Sequence, residues 1–201
     1  MITLVLQAGG ESSRMGKDKA FLSFLGIPLI QRLIDRFQQL NAEILIISNN
    51  ALPYEDLGLQ VFGDVRPGRG ALGGLLTALS VANTPLIGLV AVDMPFANPQ
   101  LIRYMADNMQ GSDLDGIIPS TTNGLEPLHA VYRRESCLPF VENAIDQDLW
   151  RMKSWHSKAN LKILKPEETR KITGSEHTFL NLNTPEEFKE AEQIAINFSL
   201  K

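Results

Sequence analysis

The amino-acid sequence predicts an α/β fold, a three-layer α/β/α sandwich around a mostly parallel sheet. Two observations predict it. Short apolar runs of strand length recur along the chain, and helical spacing follows most of them. Strands buried on both faces read as near-continuous apolar runs, as these do. At 201 residues the chain has the length of one domain, and a domain of that size buries roughly 70% of its unfolded surface without covalent staples.

The run from Ile2 to Gln7 is the first strand, ending at Ala8-Gly9-Gly10. Leu29, Ile30, Leu33, Ile34, Phe37 and Leu40 follow helical spacing behind Pro28, a residue suited to a first turn. Ile44 to Ile47 and Gln60 to Phe62 read as strands, Leu72 to Val81 as a helix, and Leu86 to Val92 as another buried strand. Pro99 to Met109 is helical. Beyond it, Gly116 to Pro119, Leu128 to Tyr132, Leu161 to Leu164 and Phe179 to Asn181 read as strands, and Glu135 to Asp146 as a helix. Thr184-Pro-Glu-Glu opens a last helix to about Ile196, with Thr184 as cap, Pro185 in the first turn and Glu187 completing a capping box. The stretch from Leu149 to Glu176 otherwise gives no clear pattern.

Composition excludes several classes. One cysteine, Cys137, rules out an internal disulfide framework and any paired-cysteine motif. With 44% apolar and 21% charged residues the chain is ordinary globular protein. A net charge of −4 argues against wholesale nucleic-acid binding. No apolar run reaches the ~20 residues that span a bilayer. The start lacks a basic segment and a signal-length apolar run. The expectation is a cytoplasmic protein without a membrane partner.

Ligands of open parallel sheets bind outside the carboxyl ends of the strands, and three features fall there. The first is Ala8-Gly9-Gly10-Glu11-Ser12-Ser13-Arg14-Met15-Gly16-Lys17-Asp18-Lys19. Its glycines let backbone approach an anion, and Arg14, Lys17 and Lys19 add cations. It is neither a Walker A loop, since Asp18 stands where Ser or Thr belongs, nor a Gly-x-Gly-x-x-Gly fingerprint. It reads as a phosphate-binding loop or as a solvated, glycine-rich turn. The second is Asp93, placed to hold Mg²⁺ against phosphates or to act as a turn residue before Met94-Pro95; Asp64 carries the same two readings. The third is Arg66-Pro-Gly-Arg-Gly-Ala-Leu-Gly-Gly74. This is a helix start packed closely on the sheet or a backbone surface against a nucleotide, and its arginines are most simply solvated charges. His129, His156 and His177 are too scattered for a metal site. Met94, Met105, Met109 and Trp150 suit core or helix-face packing, and Cys137 inert packing.

The run from Leu6 to Ala20 closely resembles the signature loop of the MobA-like nucleotidyltransferases, above all the molybdenum cofactor guanylyltransferase group. That group reads Leu-Ala-Gly-Gly, Arg-Met-Gly and Asp-Lys, here with Asp18-Lys19. Four further segments are similar in order: Gly70-Ala-Leu-Gly-Gly-Leu75, Val92-Asp-Met-Pro95, Glu126-Pro-Leu-His-Ala-Val-Tyr132 and Asn181-Leu-Asn-Thr-Pro-Glu186. Three positions depart from the pattern. Gln7 stands for Leu, Ala71 for Pro, and Ser48 for the Asn of some members; the last bears on the base contact and so on preference for GTP.

The resemblance implies a Rossmann-like fold of the nucleotide-diphospho-sugar transferase type. It implies a single domain over residues 1–201, with a nucleotide-binding half to about residue 110 and an acceptor-binding half beyond. It further implies Mg²⁺-dependent transfer of GMP from GTP to the phosphate of molybdopterin, releasing pyrophosphate. Gln7, Ala8, Gly9 and Gly10 would wrap the nucleotide, Lys19 would meet its phosphates, and Arg14 and Gly16 would shape the triphosphate loop. Ser48 and Asp64 would lie near guanine, and Asp93 would hold the metal. Asn181 and Asn183 would reach the reacting centre, and Glu126, Pro127 and Leu128 the acceptor. Lys19, Asp93 and Arg14 are thus the implied catalytic set. Cofactor-delivery proteins and molybdoenzymes are the implied transient partners. The alternatives are a CTP-dependent or sugar-phosphate nucleotidylyltransferase of the same fold, and a non-catalytic GTP- or cofactor-binding chaperone.

Overall fold

A computed structural model describes residues 1–8 and 18–199. Its strands are β1 (Ile2–Gln7), β2 (Ser23–Phe24), β3 (Ile27–Pro28), β4 (Glu43–Ile47), β5 (Gln60–Phe62), β6 (Leu86–Ala91), β7 (Gly116–Thr121), β8 (Gly124–Leu125), β9 (His129–Arg133) and β10 (Leu161–Leu164). The helices are α1 (Leu29–Phe37), α2 (Gly70–Val81), α3 (Pro99–Met109), α4 (Arg134–Asp146), α5 (Pro166–Thr173) and α6 (Pro185–Ser199). The main sheet runs β10-β7-β9-β6-β1-β4-β5, with β8 paired to β7. Neighbours along it are parallel except at β9, which lies antiparallel between β6 and β7. A mostly parallel sheet was expected.

The two-residue period of a strand sorts the core into two layers. Leu4 and Leu6 of β1 face one layer with α1, α3 and Ala191 of α6. Val5, between them, faces the other with α2, α4 and Trp155. Helices therefore cover both faces, the sandwich predicted from the apolar runs. Truncating Leu4 or Leu6, both wholly buried, removes about 2–5 kcal/mol in such a core.

Three local outcomes differ from the sequence reading. Phe179 to Asn181 is not a strand: Leu182 N donates to Asp93 O at 2.9 Å, so this backbone bonds to the loop after β6 instead of a ladder. The β2–β3 hairpin was not anticipated, because Leu25 as well as Gly26 takes positive φ (49° and 82°) at its two-residue turn. Helix α5 fills part of the stretch that showed no pattern. The three methionines are buried as expected, whereas Trp150 is 57% exposed.

Candidate active site

The strand order reverses about β1, with β4 on one side and β6 on the other, which places a crevice beyond the end of β1. Backbone bonds lock the neighbouring ends in register. Ala8 N donates to Ile47 O (2.9 Å), Val92 N to Gln7 O (3.0 Å) and Ser48 N to Phe62 O (2.9 Å). Sequence positions far apart are thereby set along one edge.

Gln7 ends β1 on the face of Val5 and turns its buried side chain onto α2. Its Nε2 donates to Ala71 O at 3.3 Å, and its Oε1 has no partner. A Cβ at Gly74 would lie 2.2 Å from that Nε2, so a glycine is what lets α2 come this close to the strand. The glycine-rich segment is thus a closely packed helix start, one of its two sequence readings. The two arginines are not simply solvated. Arg66 pairs with Asp146 and Arg69 with Asp148, across to the end of α4 and the residues after it. Arg69 also lies over the Trp150 ring at 4.7 Å, which accounts for that exposed tryptophan.

Lys19 opens a short 3₁₀ turn, Lys19–Phe21. Asp18 caps it: Oδ1 accepts from Ala20 N at 3.1 Å, and Oδ2 accepts from the Tyr54 hydroxyl at 2.8 Å. Lys19 Nζ donates to Asn183 Oδ1 at 2.8 Å and stands 3.8 Å from Asp93 Oδ2. Burial raises the pKa of the Asp93 carboxyl, and the Lys19 ammonium opposes that shift. Asn183 is fixed in turn by the start of α6, where its N donates to Glu187 Oε2 at 2.6 Å. Half-buried Asn181 lies in the same connecting segment.

On the β4–β5 side, buried Ser48 donates to Asn50 O at 3.1 Å. Asn49 and Asp64 grip each other twice: Asn49 Nδ2 donates to Asp64 Oδ2 (2.9 Å), and Asp64 N donates to Asn49 Oδ1 (2.7 Å). On the β6–β9 side, Leu128 O accepts from Ala91 N at 2.9 Å and Pro127 O from the Tyr132 hydroxyl at 2.8 Å. Half-buried Glu126 accepts from Thr121 Oγ1 at 3.0 Å, and burial raises its pKa. Gly9, Gly10, Arg14 and Gly16 lie outside the described residues.

The structure thus joins Lys19, Asp93 and Asn183 directly, sets Ser48 beside the end of β1, and carries Glu126 to Leu128 to the strand end on the other flank. Sequence reading missed Tyr54 and Asn49, whose partners are fixed only by tertiary structure. Among the described residues no group of three His, Cys, Asp or Glu side chains could hold a metal. The single carboxylate Asp93 fits Mg²⁺ all the same, because that ion usually takes one or two carboxylates and completes its octahedron with phosphate oxygens and water. A desolvated carboxylate with one cation beside it also gains from a second.

A switch-point edge carrying a fixed lysine, the Asp93 carboxylate and a helix packed hard on the first strand defines an open α/β fold with its candidate ligand site at the carboxyl ends of the central strands. The MobA-like NTP transferase domain matches residues 4–160 of the chain. A probable molybdenum cofactor guanylyltransferase of Carboxydothermus hydrogenoformans is 32% identical over 100% of this chain and 98% of that protein. The crystal structure of molybdopterin-guanine dinucleotide biosynthesis protein A from Archaeoglobus fulgidus superposes with TM-score 0.85 at 25% identity, covering 98% of this chain and 100% of that one. The 2-C-methyl-D-erythritol 4-phosphate cytidylyltransferase of Thermus thermophilus shares the fold, with TM-score 0.70 at 17% identity over 96% and 98% of the two chains. The chain belongs to the MobA-like NTP transferase family and is a nucleotidyltransferase.

Proposed function

We propose that this protein transfers GMP from GTP to the phosphate of molybdopterin, forming the guanine dinucleotide cofactor and releasing pyrophosphate. The observation that carries the reading is the convergence of Lys19, Asp93 and Asn183 at the end of the central strands. Phosphoryl-type transfer asks the protein mainly for positioning and charge neutralisation. An oxygen of the acceptor phosphate forms a bond to the α-phosphorus of GTP as the bond to the β-phosphate oxygen breaks. That nucleophile is already anionic, so no general base is needed.

Asn183 engages one of the three Lys19 donors and Asp93 lies beside the ammonium at 3.8 Å, so the phosphates draw on the donors that remain. The Lys19 charge, with Arg14 from the signature loop, offsets charge growing around the α-phosphorus. Asp93 would hold Mg²⁺, which would supply charge neutralisation at the α-phosphate and the leaving pyrophosphate. Gln7 and Ala8, whose carbonyl and N–H are taken up by Val92 N and Ile47 O, set the strand end against the nucleotide, and Gly9, Gly10 and Gly16 belong to the signature loop that takes it. Ser48 and Asp64 face the base. With Oδ2 accepting from Asn49, Asp64 keeps acceptor capacity for the adjacent N1–H and N2–H2 groups of guanine, a pair of neighbouring donors that uracil, adenine and cytosine do not present on one edge. Glu126, Pro127, Leu128 and Asn181 flank the acceptor. Cytoplasmic location and transient contact with cofactor-delivery proteins or molybdoenzymes belong to the same proposal. No helix among the described residues is long and apolar enough to cross a membrane.

The test is pyrophosphate release from GTP, CTP, ATP and UTP in the presence of Mg²⁺ and molybdopterin. GTP-selective release is expected, with Asp93→Ala lowering turnover by about a hundredfold or more and GTP affinity far less. CTP selectivity would move the protein to a cytidylyl reaction. GTP binding without release from any nucleotide would make it a recruiting partner instead of the transferase.

A further inference from the structure

Tyr54 meets Ser48 at the end of β4 and also reaches the turn that carries Lys19, so it connects the two sides of the site. It sits in the 3₁₀ segment Leu52–Leu57 that follows β4 and is wholly buried. Its hydroxyl donates to Asp18 Oδ2 at 2.8 Å, and the Ser48 hydroxyl lies against the same phenol oxygen. Its ring meets Phe21 edge-on, with centroids 4.8 Å apart. Asp18 and Phe21 bracket Lys19, so one side chain holds both ends of the turn that presents the ammonium group. The polar contact fixes the cap, and the apolar contact fixes the exit. Burial and the adjacent Asp18 carboxylate push the phenol pKa up, so it remains a donor across the working pH range.

A lysine on a free four-carbon stem has many rotamers, and ordering it costs entropy at the moment it is needed. Here that ordering is done in advance by Asp18, Tyr54 and Asn183. We propose that Tyr54 is a positioning residue for Lys19: its hydroxyl, acting through Asp18, holds the turn that aims the lysine at Asn183 and Asp93. This rests on the nucleotidyl-transfer reading of the site. It adds that the segment after β4, on the base side, sets the geometry on the phosphate side.

Tyr54→Phe isolates the claim, because phenylalanine keeps the ring against Phe21 and removes only the hydroxyl. Turnover is expected to fall about tenfold with KM for GTP within about twofold, the pattern of an interaction realised in the transition state. In a Lys19→Ala background the same substitution is expected to cost nothing further, since residues acting as one unit are non-additive. A merely structural role would give additive losses.

A second readout needs no turnover: competitive labelling of the Lys19 amine, with the site resolved by fragment mass spectrometry. Tyr54→Phe is expected to raise its labelling rate severalfold at unchanged pH. Unchanged labelling, or additive losses in the double variant, would overturn the positioning role while wild-type activity stands. Increased labelling in a protein whose wild type releases no pyrophosphate would uphold the clamp and sink the proposed reaction.

Discussion

His129 sits at the start of β9, 0% exposed, with its ring edge-on to Phe179 at 5.5 Å. The Asn98 backbone is its polar neighbour, but neither ring nitrogen makes a well-formed hydrogen bond. Burial holds its pKa down to about 4, against 6.5 when free. Above pH 6.5 the imidazole is neutral folded and unfolded, and contributes no slope. Below it the unfolded chain takes up a proton that the folded chain refuses, so stability falls as pH drops from 6.5 towards about 4. The span corresponds to roughly 3 kcal/mol as an upper figure, and His156, shifted in the same direction, adds to it. Asp93 and Glu126, raised by burial, act with the opposite sign but only nearer the carboxylate range. The urea midpoint is therefore expected to drop between about pH 7.5 and about pH 5, less steeply in His129→Leu. An equal drop in the variant would remove His129 as the source. The sequence placed this histidine in a segment resembling an acceptor-binding motif, but spacing could not say that it was dry. Tyr54 and Asn49 were hidden for a related reason: Tyr54 meets Asp18 from 36 positions away, and no local pattern encodes that contact.

At the scale of the element, legibility depends on which signal a segment carries. The start of α6 was readable from Thr184, Pro185 and Glu187, and both halves of the box form. Glu187 N donates to Thr184 Oγ1 at 3.1 Å, and Thr184 N donates to Glu187 Oε2 at 2.9 Å. Thr184→Ala is expected to cost about 1 kcal/mol, seen as a lower urea midpoint at unchanged slope, because one helix N–H loses its acceptor. No change in midpoint would mean that water replaces the cap without cost. Helix α5 had its own punctuation, with Pro166 at the first position, Glu167 and Glu168 in the first turn and Gly174 at φ 66° after the last. It escaped the sequence reading because Thr169 is its one fully buried residue, so the apolar period that normally announces a helix is missing. Phe179 to Asn181 erred the other way: its apolar pair reads as a strand, but Phe179 lies in a turn closed by Leu180 N donating to His177 O at 3.0 Å, and strand pairing is a property of neighbours that the segment does not contain.

For the whole molecule, the two halves implied by the family resemblance share one sheet. The antiparallel β9 joins them, pairing with β6 on one side and β7 on the other. Its sequence signal was an apolar run like the others, and direction is set by topology, so the run could not disclose it. The consequence is energetic. A fragment ending near residue 110 would leave β6 with an open edge, and would strip cover from Ile87 and Leu89, which share a layer with Ala130, Tyr132 and α4. The nucleotide half is therefore expected not to fold alone, and the full chain to unfold as one unit. Both tryptophans, Trp150 and Trp155, lie in the second half, and wholly buried Trp155 packs against Tyr132 with centroids 5.7 Å apart. Tryptophan fluorescence thus reports on that half, while far-UV circular dichroism reports on every strand and helix. Coincident urea midpoints by the two probes are the expected outcome of a shared sheet. A fluorescence transition that precedes the dichroic one would instead mean that the acceptor half opens separately across β9, and that the site assembles from two cooperative units.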